Sequence, residues 1–76
     1  MSEQEWINIF GDNLVELIAE HGYSQREFAD AAGLTESAIS QYINKRRMPT
    51  VKAIINMAYV LGLDLDEFID FGDRLY

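Results

Sequence analysis

The chain has 76 residues, no cysteine and a net charge of −7. This length allows one domain, the lack of cysteine excludes a disulfide framework and a thiolate metal site, and no apolar run approaches the ~20 residues of a membrane span. No signal-peptide pattern opens the chain, so we expect a cytoplasmic protein without a membrane partner. Hydrophobic residues make up 49% of the chain, which is enough for one small core.

The apolar pattern and capping residues of the first third predict two helices. Apolar residues recur every three or four positions over residues 3–21, which indicates one amphipathic helix. Gly11 is expected to weaken its middle by up to ~1 kcal/mol, so that the helix begins in earnest only after this glycine. Ser24 and Glu27 then form a capping box, which predicts a second, short helix over residues 24–32.

Three further helices are predicted in the rest of the chain. Thr35 is a good N-cap for a third helix over residues 35–44. Thr50 caps a fourth, which a glycine closes, and a last short helix begins at Asp64. The buried stripe of the fourth helix is expected to consist of Val51, Ile54, Ile55, Ala58 and Leu61. The sequence thus predicts an all-α fold of four or five helices, in a single domain over residues 1–76.

The positive charge is concentrated in the middle of an otherwise acidic chain. Residues 1–23 carry five acidic residues and no lysine or arginine, and residues 53–76 carry five acidic residues against one arginine. Residues 24–52, in contrast, hold five of the six Lys and Arg side chains against three acids, with three consecutive cations at 45–47. A basic patch on an acidic body is the charge pattern expected of a nucleic-acid-binding surface.

The second and third predicted helices meet at Gly33. Two short helices joined by a three- or four-residue turn with a glycine form a helix-turn-helix, and Gly33 can adopt the left-handed conformation that such a turn requires. Ala29, four residues earlier, is small enough to let the two helices cross closely. Leu34 and Ile39 are expected to hold the third helix on the core.

The outward residues of the third helix are candidates for reading DNA bases. In a helix-turn-helix the second helix enters the major groove, and its N-terminal residues reach the base edges. Those residues here are Thr35, Glu36, Ser37 and, one turn later, Gln41. Gln41 can bind adenine through two hydrogen bonds, Glu36 can accept one from cytosine, and Ser37 can bond to either kind of base. The alternatives are that Glu36 only complements the helix dipole and that Gln41 is merely solvated.

The middle of the chain resembles the helix-turn-helix family of Cro and the phage repressors, also called the XRE type. The resemblance is carried by residues 23–29, residues 33–40, the basic segment 44–50 with its proline, and the pair Leu61-Gly62. It covers about residues 12–70. It implies a lambda-repressor-like domain whose third helix enters the major groove of double-stranded DNA, usually as a homodimer on a palindromic operator. Base contacts in the family fall at the positions that match Glu36, Ser37 and Gln41.

Contacts to the sugar-phosphate backbone are expected on both sides of the base-reading helix. The family has one at the position that matches Gln25, and the start of a helix can also point its amides at a phosphate. The other candidates end or follow the third helix: Tyr42, Asn44, Lys45, Arg46 and Arg47. Tyr42 is expected to be half-buried, with its hydroxyl near a phosphate. Family members often carry glycine where Lys45 stands, so either Asn44 takes the left-handed turn instead or the loop has another shape.

Aromatic and apolar residues near the end of the chain exceed what so small a core needs. Part of this set is interpreted as a homodimer surface, with packing onto the first helix as the alternative: Phe68, Ile69, Phe71, Leu75 and Tyr76. Trp6 and Phe10 are expected in the core or at a dimer contact. His21 has no second histidine or cysteine near it and is not expected to bind a metal.

The function that these features favour is sequence-specific transcriptional regulation, most simply repression. The sequence has no nucleophile–base pair, phosphate-cradling glycine loop or metal constellation, so no enzyme activity, cofactor or small-molecule substrate is expected. The alternative is an acidic protein-interaction module, such as an antitoxin, anti-repressor or adaptor, that keeps the fold without specific DNA binding. The net charge and Glu36 favour that alternative, whereas the clustered cations and the polar side of residues 35–41 favour DNA.

Overall fold

The computed structural model describes the backbone of residues 2–70 and the side chains of residues 2–68. Over that range the chain forms five α-helices and no strands. The helices are α1 (Glu3–Glu20), α2 (Gln25–Ala32), α3 (Glu36–Ile43), α4 (Val51–Leu61) and α5 (Leu65–Asp70). The predicted all-α class is confirmed. None of these helices is both long and apolar enough to span a bilayer.

Polar N-cap residues fix where the first four helices begin. In each case the hydroxyl of the cap accepts a hydrogen bond from the amide three residues later, at 3.0–3.1 Å, and the caps are Ser2, Ser24, Thr35 and Thr50. Two of these ends are full capping boxes, because Glu5 and Glu27 return a carboxylate to the cap amide. The Ser2 box explains why α1 begins near the first residue.

Gly11 lies inside a continuous α1, so the prediction that the helix begins only after it was wrong. The glycine is buried, and a Cβ at this position would lie 2.8 Å from the carbonyl oxygen of Tyr42 and 3.1 Å from that of Ile43. Its missing side chain therefore lets the backbone of α1 approach the end of α3. The loss of helix propensity at Gly11, about 1 kcal/mol, is the cost of that close crossing.

Four helices end in the same way, with a residue in the left-handed conformation. After α3 the amide of Arg46 donates to the carbonyl of Gln41 at 2.9 Å and that of Lys45 donates to Tyr42 at 3.1 Å, the two bonds of a Schellman motif. Glycine takes the left-handed position after α1, α2 and α4, and Lys45 takes it after α3 with φ 63°. Neither of the two alternatives considered for this loop holds: Asn44 has φ −83° and ψ 7°, and Lys45 itself takes the left-handed position that family members often fill with glycine.

The core is formed by side chains of all five helices. It consists of Phe10, Leu14, Ile18, Phe28, Ala29, Ala32, Ile39, Tyr42, Ala53, Met57, Ala58, Leu61 and Phe68. Phe68 of α5 meets Phe10 edge-on with ring centroids 5.4 Å apart, and Trp6 stacks on Phe10 at 4.9 Å. Trp6 and Phe10 thus pack in or against the core, and Phe68 packs onto the first helix and does not form a dimer surface. Phe71, Leu75 and Tyr76 lie outside the described residues, as does the side chain of Ile69.

The buried side of α4 differs from the predicted stripe. Ala53, Met57, Ala58 and Leu61 are buried, whereas Val51 and Ile55 are exposed. Periodicity did not distinguish these two sides, because apolar residues occur around most of this helix. Val51 and Ile55 therefore form part of an apolar outer surface.

Candidate nucleic-acid interface

The turn between α2 and α3 consists of Gly33, Leu34 and Thr35. Gly33 has φ 68°, and the amide of Leu34 donates to the carbonyl of Ala29 at 2.9 Å. Ala29 and Ile39 are both buried, so the two helices pack closely, as the sequence predicted. The result is a helix-turn-helix that fixes α3 on the surface of the core.

One side of α3 is buried and the opposite side is polar. Ile39 and Tyr42 face the core, while Glu36 and Ser37 are exposed. Thr35 is exposed at the N-cap, and its hydroxyl oxygen accepts from the amide of Ala38. Within the part of the chain that the structure describes, the outward side chains of this helix form hydrogen bonds only with α3 itself and its caps, and they form no ion pair.

Side-chain contacts join successive turns on the outward side of α3. Gln41, which is half-buried, approaches the hydroxyl of Ser37 with its side-chain nitrogen at 3.5 Å. Asn44 donates to the hydroxyl of Ser40 at 3.2 Å. Ser40 was missing from the predicted contact residues, although its spacing, three residues after Ser37 and four before Asn44, was a signal for the same side of the helix.

The basic segment follows α3 directly and is anchored to α1 by its first residue. Arg46 and Arg47 are exposed, next to the polar side of α3. Lys45 is held differently: its ammonium lies 2.7 Å from Asp12 Oδ1, and its carbonyl accepts from Gln4 Nε2 at 3.3 Å. The three consecutive cations are therefore not equivalent, and two of them are free of that anchoring.

Tyr42 is more deeply placed than expected. Its side chain is only 3% exposed, so the expectation of a half-buried residue was wrong. It lies on the side of α3 that faces the core, and Gly11 of α1 approaches its backbone carbonyl. Its main role in the structure is packing.

Gln25 is the first residue of α2 and is half-buried. Ser24 and Glu27, which form the capping box at this end, are exposed, so the start of α2 lies at the surface. The box also lowers the pKa of the Glu27 carboxyl, chiefly because the Ser24 amide donates a hydrogen bond to it at 2.8 Å, and further through the Ser24 hydroxyl. Glu27 therefore keeps its negative charge at the positive end of the α2 dipole.

His21 joins the ends of two helices. Its Nδ1 lies 2.9 Å from the carbonyl oxygen of Leu17 in α1, and its Nε2 lies 3.0 Å from that of Leu61 in α4. Both contacts are to protein carbonyls at helix C-termini. In the part of the chain that the structure describes, no group of three or more His, Asp or Glu side chains is arranged to hold a metal ion.

The fold and the exposed polar side of α3 define a DNA-binding helix-turn-helix protein. The chain belongs to the helix-turn-helix family, in its Cro and phage-repressor branch, and the match covers residues 14–68. This confirms the resemblance that the sequence indicated.

Two relatives share sequence with most of the chain. It is 38% identical over 64 residues to the HTH-type transcriptional regulator PuuR of Escherichia coli K12, which covers 84% of this chain and 35% of that protein. It is 29% identical over 58 residues to the SPbeta prophage-derived uncharacterized HTH-type transcriptional regulator YonR of Bacillus subtilis 168, which covers 76% of this chain and 54% of that protein. The chain thus spans about a third and about half of their lengths.

Two crystal structures share the fold. The clp gene regulator ClgR from Corynebacterium glutamicum superimposes with a TM-score of 0.83 over 92% of this chain and 74% of that chain, at 17% identity. The hypothetical transcription factor NHTF from Neisseria superimposes with a TM-score of 0.79 over 90% of this chain and 76% of that chain, at 26% identity. Both similarities concern the arrangement of the helices, which this chain shares with the two proteins.

Proposed function

We propose that this chain is a sequence-specific transcriptional repressor that reads the DNA major groove with α3. The observation that carries the proposal is the exposed polar side of α3, which lies directly before the exposed Arg46 and Arg47. A helix fits the major groove, where each base pair presents its own pattern of donors and acceptors. Cations beside such a helix bind phosphates and set its register.

Base reading is assigned to the N-terminal and outward positions of α3. Glu36 and Ser37 are exposed in the first turn, and Gln41 follows one turn later. Thr35 uses its hydroxyl oxygen to cap the helix, so its remaining capacity towards a base is the hydroxyl proton. Ser37 and Gln41 lie on the same side of the helix, 3.5 Å apart between the Gln41 side-chain nitrogen and the Ser37 hydroxyl, so both can face one stretch of the groove.

Phosphate contacts are assigned to the residues on either side of α3. Gln25 presents its side chain and the start of α2. Asn44, Arg46 and Arg47 lie at and after the end of α3. Tyr42 and Lys45 are also proposed as phosphate contacts, but with smaller contributions to the binding free energy. Tyr42 is almost wholly buried, and Lys45 already has a carboxylate partner.

The acidic remainder of the chain favours one orientation on DNA. The net charge is −7, although residues 24–52 are positive on balance. Phosphates repel the acidic surfaces and attract the basic one, so the protein approaches DNA with α3 forward. The same repulsion weakens non-specific binding, which raises the share of affinity that depends on base contacts.

Repression, dimerisation and location complete the proposal. A protein that occupies the major groove of an operator blocks other proteins from that site, which is the simplest regulatory outcome. A homodimer would read two half-sites about 34–36 Å apart on a palindromic sequence. Because the proposed target is DNA and the relatives are bacterial proteins, we place the protein in the cytoplasm, where bacterial DNA lies.

A selection from random double-stranded DNA, at low and at moderate salt, tests this function. The wild-type chain is expected to enrich a motif, and a Ser37→Ala/Gln41→Ala variant should lose or relax it by ~1–3 kcal/mol per affected base pair. Glu20→Ala, which removes an exposed side chain at the end of α1, is the matched control and should keep the motif. Failure of the wild type to enrich any sequence would contradict the proposal and favour a protein-interaction module.

A further inference from the structure

The outer side of α4 carries an apolar stripe that no described residue covers. Val51 is 72% exposed, Ile55 49% and Tyr59 86%. These three residues, which we call the α4 stripe, are spaced four apart and therefore lie along one side of the helix. Beside it, Ile55, Ala58, Tyr59, Leu63, Asp64 and Leu65 line a shallow groove of about 400 Å³. Contiguous exposed apolar surface of this kind marks an interaction site.

We propose that the α4 stripe pairs with the α4 stripe of a second copy of this chain, antiparallel and across a two-fold axis at Ile55. The proposal rests on the proposed function, since it supplies the dimer that a palindromic site requires. The proposal locates the dimer contact on α4, whose N-terminus follows the basic segment. The sequence had instead suggested a dimer surface among the apolar residues near the end of the chain.

The spacing of the stripe is suited to pairing with itself. Val51 and Tyr59 lie at equal distances on either side of Ile55, each about 6 Å along the axis. An antiparallel copy therefore brings Ile55 against its equivalent and Val51 against Tyr59 of the other copy. A two-fold interface needs such self-complementarity, because the same residues must serve on both sides.

The charges at the two ends of α4 are complementary in this orientation and not in the parallel one. Lys52 is exposed in the first turn of α4, after the cations at 45–47. Asp64, Asp66 and Glu67 are exposed beyond its C-terminal end. Antiparallel pairing places the basic end of one copy beside the acidic end of the other, whereas parallel pairing would place like charges together.

The dimensions favour a second copy as the occupant. The molecule measures 31 × 23 × 21 Å, and half-sites one DNA turn apart are separated by about 34–36 Å. Two copies on such a site are therefore within contact distance of each other. One helix side is smaller than the about 1,600 Å² of a standard interface, so we expect weak pairing in solution that strengthens when DNA holds both copies.

Sedimentation equilibrium without DNA tests the pairing on the full chain. Wild type is expected to show a concentration-dependent dimer. Ile55→Glu and Ile55→Lys should each be monomeric, because like charges then meet at the two-fold axis, and an equimolar mixture of the two should regain the dimer. Val15→Glu, at a residue 45% exposed on α1, is the matched control and should dimerise like wild type. Circular dichroism confirms that each variant is folded.

Disulfide capture detects the contact even when pairing is weak. The chain has no cysteine, so Ile55→Cys introduces a single thiol that would face its own equivalent. Mild oxidation should give a covalent dimer much faster for Ile55→Cys than for Val15→Cys. Equal rates for the two variants, or Glu and Lys variants that sediment like wild type, would overturn the proposal.

DNA binding is measured separately, so that the two proposals can fail independently. Ile55→Glu should keep its binding to a single half-site and lose cooperative binding to a palindrome. A chain that dimerises through α4 but enriches no DNA motif would refute the repressor proposal alone. A chain that enriches a half-site as a monomer, with Ile55→Glu unchanged on the palindrome, would refute only the α4 pairing.

Discussion

The ammonium nitrogen of Lys45 lies 2.7 Å from Asp12 Oδ1, which joins the loop after α3 to the middle of α1. The backbone of Lys45 is held as well, by the Gln4 side chain at its carbonyl and by the left-handed turn. The segment that leads to Arg46 and Arg47 is thus braced by the first helix. Asp12 also neutralises a cation that would otherwise be available to a phosphate.

Replacement of Asp12 by asparagine is expected to strengthen DNA binding. The freed Lys45 can join the phosphate contacts, so the slope of log affinity against log salt should steepen by about one. Stability should change by less than about 1 kcal/mol, because both groups are partly exposed. Fluorescence anisotropy at several salt concentrations measures the slope.

The control for this variant is Glu16→Gln, which removes the same charge one turn further along α1. Glu16 is exposed and makes no ion pair with Lys45. Its replacement should therefore raise the affinity for DNA only slightly and leave the slope of log affinity against log salt nearly unchanged. Equal slopes for the two variants would show that Asp12 acts by general electrostatics and not by holding Lys45.

Gly11→Ala is expected to lower the free energy of unfolding, by about 1–3 kcal/mol. A Cβ at this position would meet the backbone oxygen of Tyr42 at 2.8 Å, and backbone cannot move aside as a flexible side chain can. Helix propensity alone predicts the opposite sign, a gain of about 1 kcal/mol. Urea unfolding therefore decides between the two effects, with the exposed Ala19→Gly as a measure of propensity in the same helix.

A glycine at position 45 should relieve a strained turn. Lysine in the left-handed conformation costs on the order of 1 kcal/mol relative to glycine. Lys45→Gly is best compared with Lys45→Ala. Both are made in the Asp12→Asn background, where the ion pair between positions 12 and 45 is already absent. The glycine variant should be more stable by about 1 kcal/mol. Equal urea midpoints would mean that the loop changes shape when the lysine is removed.

The Glu27 capping box is expected to contribute a pH-dependent part of the stability. Its folded pKa is lowered from 4.5, mainly by the hydrogen bond from the Ser24 amide. The contribution is therefore fully present above the unfolded pKa and is lost as pH falls through the lowered folded value. The stability difference between wild type and Glu27→Gln should shrink on acidification, as urea unfolding across that range would record. A stability difference that stays constant with pH would contradict this assignment.

Arg46→Ala combined with Arg47→Ala should weaken binding to all DNA sequences. Both guanidinium groups are exposed beside α3, and the loss of two phosphate contacts should lower the salt slope by about 2. The preferred motif should stay the same, because phosphate contacts carry no base information. A retained slope would remove both residues from the interface.

Local signals account for most of what the sequence predicted correctly. Hydroxyl caps and left-handed glycines determine where helices begin and end through bonds within five residues, so Ser24, Thr35 and Gly33 could be recognised in the sequence. The polar side of α3 was also predictable from local sequence, because residues three or four positions apart lie on the same side of a helix.

Features that depend on contacts between distant segments were not predictable. Gly11 is tolerated in α1 because of the carbonyl of Tyr42, which lies thirty-one positions later in the chain. Lys45 adopts the left-handed turn while Asp12 and Gln4 hold it from another helix. The outward position of Ile55 depends on which side of an almost uniformly apolar α4 meets the core. Each of these is decided by packing, which periodicity does not record.

The division of α3 into two sides also bears on how this protein can change over time. Ile39 and Tyr42 are buried and hold the helix in place, while Glu36 and Ser37 are exposed and Gln41 is half-buried. On the proposed function, mutations at Glu36 and Ser37 therefore change base preference at little cost in stability, and a lineage can acquire a new operator preference without passing through unstable intermediates. An engineer can exploit the same separation by transplanting only the outward residues of another regulator.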